Sequence, residues 1–243
     1  MKFSLMVATL FAFALSACGG GNSSGSNGNN QPAITTATDT EIIANVKSSN
    51  VDFLPVIYPV NRPAGTWRWP STPNQHVIVY IPVPASGNAT EQDYASKTRN
   101  AITQINTKLR NLLVLEPVSA IPVNGNFIQV GYGTSFVPVG STDYQSYCAN
   151  VSEGPNMGNV IQPDSQNGIK SNPVYLNLGN GHCDVTQAIV VHEFGHALGL
   201  ANHFKGFGIG DSTSTAFWDV LATLYGNQQS TTANNLLVRH AAN

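Results

Sequence analysis

The 243-residue chain is predicted to fold as one α+β domain, on three observations. Residues 94–113 and a second stretch ending near Leu198 repeat apolar side chains at helical spacing, so each marks an amphipathic helix. Short runs dense in β-branched and aromatic residues, "HVIVYIPVP", "FIQVGYGT" and "PVYLNLG", read as strands. The order is strand, long helix, strands, edge strand, helix. That interleaving suits a small mixed sheet packed with helices, α+β or alternatively α/β, rather than an all-β sandwich. A single low-complexity tract divides the chain, which favours one folded domain over two.

At the N-terminus, Met1 and Lys2 supply a short positive region, and Phe3 to Leu15 is an apolar stretch too short for a spanning helix. "LSAC", Leu15 to Cys18, follows and resembles the lipobox of bacterial lipoproteins. It implies a signal peptide over residues 1–17, acylation of Cys18 and a lipid anchor in a membrane. Gly19 after that cysteine implies the outer membrane in a Gram-negative host. The expected location is thus the bacterial cell envelope, or the extracellular space. "GGGNSSGSNGNNQP" has no apolar residue to bury and reads as a flexible tether over residues 18–40, ahead of a domain at 41–243. With Cys18 acylated, the other two of the three cysteines, Cys148 and Cys183, are left to pair in an oxidising compartment. Two free buried thiols are the alternative.

From Ile42 to Asn74, Pro55, Pro59, Pro63, Pro70 and Pro73 argue against regular helix. His76 to Pro84 is the first strand. The long helix follows, capped by Thr90, with Tyr94, Ala101, Ile102, Ile105, Leu109, Leu112 and Leu113 facing a core. Phe127 to Thr134 is the next strand. Gly140 to Ser171, rich in Gly, Asn, Ser and Pro, reads as a long excursion. Pro173 to Gly179 is an edge strand, its proline suited to a first position. "TAFWDVLATLYGN" places Phe217, Leu221, Leu224 and Tyr225 at helical spacing ahead of a Gly226-Asn227 stop.

Composition removes one class of partner. With 11 basic against 13 acidic residues there is no cationic stripe to displace counterions, so no nucleic-acid partner is expected. Only 10% of residues are charged, and the abundant Gly, Asn, Ser and Thr suit an exported surface.

The chemistry concentrates in "VVHEFGHALGLANHF", residues 190–204. Asp184, with Gln187, can cap a helix running from Val185 to about Leu198. On it, His192 and His196 project from one face a turn apart, so both imidazoles can hold one metal ion. Glu193 can lie beside the open coordination position without being a ligand. Gly199 tolerates the left-handed conformation that ends a helix and turns the chain. His203 then approaches from another direction, and three imidazoles leave the fourth position of a tetrahedral site open for catalysis. His76, His182 and His240 are read as ordinary histidines, with His182 near enough to be a supporting partner.

"HEFGHALGL" followed by histidine resembles the metzincin clan of zinc endopeptidases, in its matrixin-like branch. His192, Glu193, His196 and Gly199 match that motif position for position. The resemblance covers about residues 75–227. It implies a metzincin-like zincin fold, with a small, mostly parallel twisted sheet, a long N-terminal helix, an active-site helix and a C-terminal helix. It also implies one catalytic zinc ion, with calcium left unassigned, and a protein or peptide substrate; the sequence leaves the oligomeric state open, a monomer being the expectation. The substrate would lie antiparallel along an edge strand, taken to be "PVYLNLG". Zinc would acidify water, Glu193 would act as general base, and Tyr225 is either a second oxyanion donor or a buried phenol.

The chain departs from that pattern twice. Asn202 stands where the third histidine belongs and His203 comes one residue late. An amide is a poor zinc ligand, so His203 is expected, with Asp211 and Asp219 as alternatives. No methionine follows the motif to form the usual floor beneath the metal, and Phe217 or Trp218 is expected to replace it. A catalytically inactive zincin-fold lipoprotein acting as a binding module is the competing function, disfavoured by the retained Glu193.

Overall fold

Thr38 opens helix α1 (Asp39–Val46): its hydroxyl accepts from the Glu41 amide while the Glu41 carboxylate accepts from the Thr38 amide. This reciprocal box satisfies two amides of the first turn. The computed structural model describes residues 36–53, 60–70, 76–123 and 125–242, so the signal peptide, Cys18 and nearly all of the tether lie outside the described residues. Two expectations change here. Helix begins at Asp39, inside the stretch assigned to the tether, and it continues through a π-turn at Lys47–Val51. The prolines read as forbidding helix begin only at Pro55, beyond this element. Ser49 and Asn50 of the π-turn are fully buried.

Five strands form the main sheet: β1 (Val77–Tyr80), β2 (Leu115–Val118), β3 (Ile128–Tyr132), β4 (Ala149–Ser152) and β5 (Val174–Leu178). Their order is β2-β1-β3-β5-β4, and every pairing is parallel except β4 with β5. A mixed, mostly parallel sheet with helices is thus observed. Parallel neighbours need a long crossover, which helix α2 (Ala89–Lys108) supplies between β1 and β2. Its cap is Asn88, whose side chain accepts from the Glu91 amide, and not Thr90. Tyr94, Ala101, Ile102, Ile105 and Leu109 are buried as the spacing requires. Full burial of each large aliphatic side chain contributes about 1.5–3 kcal/mol.

β5 is not the sheet edge. β4, drawn from the stretch read as an excursion, pairs antiparallel outside it and is the edge strand. β4 leaves no strand signal in the sequence because it is four residues long and is flanked by turn-forming residues. β2, at the other edge, carries Pro117, which an edge position tolerates.

Helix α3 (Gln187–Ala197) packs against α2, β4 and β5, and helix α4 (Thr215–Gly226) packs against α1. The cap of α3 is Thr186, which accepts from the Ile189 amide. Asp184 is exposed and lies 4.0 Å from the Lys97 ammonium instead. Between α3 and α4 a two-residue parallel ladder pairs β6 (Phe204–Lys205) with β7 (Gly208–Ile209). Cys148 and Cys183 form a disulfide, Cα to Cα 5.7 Å, tying the start of β4 to the loop ahead of α3. No described helix is long and apolar enough to cross a membrane.

Candidate metal centre

His192 and His196 leave the same side of α3, ring centroids 4.9 Å apart. The helix ends at Ala197 with Leu198 as its cap, and Gly199 turns the chain with φ at 107°, a left-handed conformation that costs glycine little. The carbonyls that α3 leaves unpaired at its end are met from elsewhere. The Trp69 indole donates to Ala197 O at 2.8 Å, Tyr225 Oη to Leu198 O at 3.0 Å and Asn50 Nδ2 to Gly199 O at 2.8 Å. The Ala201 amide donates to Ser49 O at 2.7 Å, and Asn202 Nδ2 donates to Ser48 O at 2.9 Å. Asn202 is therefore committed away from the histidines, and His203 is the residue that arrives beside them.

His203 Nε2 lies 3.0 Å from His192 Nε2 and 3.1 Å from His196 Nε2. All three nitrogens fall within 4.8 Å of one another. A tetrahedral zinc site with bonds of about 2.0–2.1 Å requires nitrogen separations of about 3.3 Å, which is close to this spacing. Proton accounting points the same way. His192 Nδ1 is 3.1 Å from Ser212 O, and His196 Nδ1 is 2.5 Å from Leu200 O. A carbonyl only accepts, so both Nδ1 atoms carry the proton and both Nε2 lone pairs face inward. A neutral His203 has one N–H to give and can satisfy at most one of them. A divalent cation satisfies all three. The cluster of His192, His196 and His203 with Glu193 beside it is suited to one divalent ion such as Zn2+, and matches the metal-activated catalytic site of zinc endopeptidases.

Burial sets the electrostatics. His192 is held down to about 4 by burial, with His203 adding to the effect. His196 is pushed well below its usual range by burial and by its two neighbours, and His203 is lowered by burial. All three rings are thus neutral at pH 7, the state a metal ligand needs. Glu193 moves the other way, raised by burial to about 8 in the metal-free chain.

The floor beneath the imidazoles is Phe207, fully buried. Its ring centroid lies 4.4 Å from His192, 4.9 Å from His196 and 5.4 Å from His203. Phe217 stacks behind Phe207 at 5.2 Å, and Trp218 packs edge-on to Phe217 at 4.8 Å. The expectation for Phe217 or Trp218 is therefore corrected: they form the second layer, and the residue in contact comes from the loop after His203. Two glycines make room for the rings of this cluster. A Cβ on Gly195 would come within 2.7 Å of the Phe207 and Phe217 rings, and one on Gly208 within 2.6 Å of the His203 ring.

Other residues singled out in the sequence are engaged elsewhere. Tyr225 is a buried phenol bonded to Leu198 O, held protonated by burial, and not an oxyanion donor. Asp219 accepts from the Ala241 amide at 2.9 Å and pairs with His240, while Asp211 does not join the group of converging ligand atoms formed by His192, His196 and His203. His182 packs against the Tyr144 ring, and His76 pairs with Glu116. Phe207, Asn50 and Trp69 escaped the sequence reading. Only Phe207 left a signal, an aromatic between glycines in "KGFGIG" just after His203. No protein-family model matches the chain, and a search of curated proteins finds no significant match.

Proposed function

We propose that the chain is a zinc-dependent endopeptidase of matrixin-like character, anchored to the bacterial cell envelope through an acylated Cys18. The observation that carries the reading is Glu193, a carboxyl buried beside three converging imidazoles, of which His192 and His196 turn proton-free Nε2 atoms inward. Burying a carboxylate that gains no partner destabilises the fold, and a purely structural metal site has no use for one. A base adjoining an open coordination position does.

His192, His196 and His203 would hold the ion. When bound, it supplies Lewis acidity, acidifying water and stabilising negative charge on a carbonyl oxygen. Glu193 accepts the proton released as water attacks the peptide carbonyl and returns it to the departing amine nitrogen. Ser212 O and Leu200 O fix the tautomers of His192 and His196, and Phe207 keeps water from the undersides of the rings. β4, whose outer side has no strand partner among the described residues, offers backbone groups to an extended substrate. It takes over the role first given to residues 173–179.

The test is cleavage of a denatured protein by zinc-loaded wild type and by zinc-loaded Glu193→Ala. Cleavage that chelator stops, that zinc restores and that the variant lacks supports the reading. Stoichiometric zinc with no Glu193-dependent cleavage replaces it with a binding module. Metabolic labelling with palmitate, comparing wild type with Cys18→Ala, tests the anchor.

A further inference from the structure

The third imidazole arrives on a turn whose register is set from outside α3. In an α-helix, the carbonyls of Ser48 and Ser49 would bond amides four residues on. The π-turn instead closes Lys47 O onto the Asp52 amide and presents successive groups of residues 48, 49 and 50 to the turn after the metal helix. Ser48 O accepts from the Asn202 side chain, Ser49 O from the Ala201 amide, and the Asn50 side chain donates to Gly199 O. Asn50 is itself fixed. Its Oδ1 accepts from the Trp67 amide at 3.0 Å, its Nδ2 also donates to Trp67 O at 2.7 Å, and it is fully buried. A π-turn inside a helical run is a recurrent feature of functional sites.

We propose that the π-turn Lys47–Val51 is a positioning element of the metal centre, deciding that residue 203 and not residue 202 supplies the third imidazole. The proposal rests on the reading that the three histidines hold an ion. Ser48 draws the side chain of residue 202 outward, and the added residue lets the chain swing back so that His203 faces His192 and His196. The late histidine and the N-terminal segment are then one device.

The test uses the full chain, stripped of metal and titrated with cobalt(II), following visible absorption and affinity. The informative variant exchanges the two residues, Asn202→His with His203→Asn. Asn202→Ala and Asn202→Asp remove the hydrogen-bond donor from an exposed side chain without disturbing the core. Wild type is expected to bind one cobalt with the strong visible bands of a four-coordinate site. The exchange variant should fall at least about 100-fold in affinity, matching His203→Ala. Asn202→Ala and Asn202→Asp should each lose about 10-fold, the usual scale for groups that orient ligands, with unchanged unfolding of the metal-free chain. An exchange variant within threefold of wild type, with the same bands, overturns the proposal, as does unchanged affinity in both Asn202 variants. Wild type that takes up no cobalt overturns it together with the metal-site reading beneath it.

Discussion

Replacing Glu193 by glutamine should strengthen the metal-free fold while removing turnover, and pH gives the stability gain its signature. Burial raises this carboxyl from an ordinary 4.5 to about 8. Between those values the folded chain keeps a proton that the unfolded chain releases, so stability falls as pH rises across that window. Each pH unit costs about 1.4 kcal/mol, so at neutral pH the penalty is about 3 kcal/mol, and at about pH 5 it is below about 1 kcal/mol. Glutamine has nearly the same shape and nothing to ionise. Glu193→Gln should therefore gain up to about 3 kcal/mol near pH 7 and almost nothing near pH 5, read from urea unfolding of metal-free protein at both values. The three histidines titrate in the opposite sense but are common to both chains, so the difference isolates Glu193. A gain equal at the two pH values, or a loss at neutral pH, would refute the claim that the charged form is buried without a partner. Turnover by the zinc-loaded variant should fall by at least about 100-fold, the lower end for loss of a general base.

Four further outcomes follow from the same geometry. Phe207→Ala empties the space beneath three imidazoles and should cost about 3–5 kcal/mol of stability, with faster zinc loss to a chelator; retention at the wild-type rate would show that the ring is only core. His203→Ala should abolish stoichiometric zinc binding under dialysis whereas Asp211→Ala leaves it intact, and the reverse pattern would move the third ligand to Asp211. Tyr225→Phe loses one hydrogen bond, about 1 kcal/mol, and should keep full peptide cleavage, while a drop of about 100-fold would make the phenol an oxyanion donor after all. In the metal-free chain, burial lowers His192 to about 4 from 6.5, so the unfolded state takes up the proton first; the stability this neutral ring contributes is complete above about 6.5 and is lost as pH falls towards 4, an acid limb that His192→Gln should flatten in the same unfolding assay.

The parts of the fold written in local periodicity were legible. The stripe on α2 and the apolar positions of α4 are buried where helical spacing put them, and α3 presents His192 and His196 on one side because residues four apart share a face. Caps were legible only by type. Thr186 and Asn88 displaced Asp184 and Thr90, each polar neighbour being chemically competent and the choice falling to tertiary packing. What could not be read depends on contacts distant in sequence. β4 is an edge because β5 pairs with it, and nothing in "ANVS" says so. Asn50 lies 149 residues from Gly199, and no local pattern links a buried asparagine to the turn it holds.

The centre divides in the same way. His192, Glu193, His196 and Gly199 form a contiguous motif whose chemistry follows from helix geometry. His203 was expected from the poor ligating power of Asn202, and the reason for its late position appears only when Ser48 and Ser49 are seen against Ala201 and Asn202. Phe217, the expected floor, sits on a helix with visible periodicity, and it lies one layer behind the ring that touches the imidazoles. Phe207 lies in a glycine-rich loop, where spacing carries no information about direction.

The three-histidine site is tested most directly by anomalous diffraction at the zinc edge from crystals of the zinc-loaded protein. One full-occupancy peak is expected within about 2.0–2.1 Å of the Nε2 atoms of His192, His196 and His203, with Asn202 still bonded to Ser48. A peak ligated by Asp211, by Asp219 or by the residue 202 side chain, or no peak among these histidines, would contradict it.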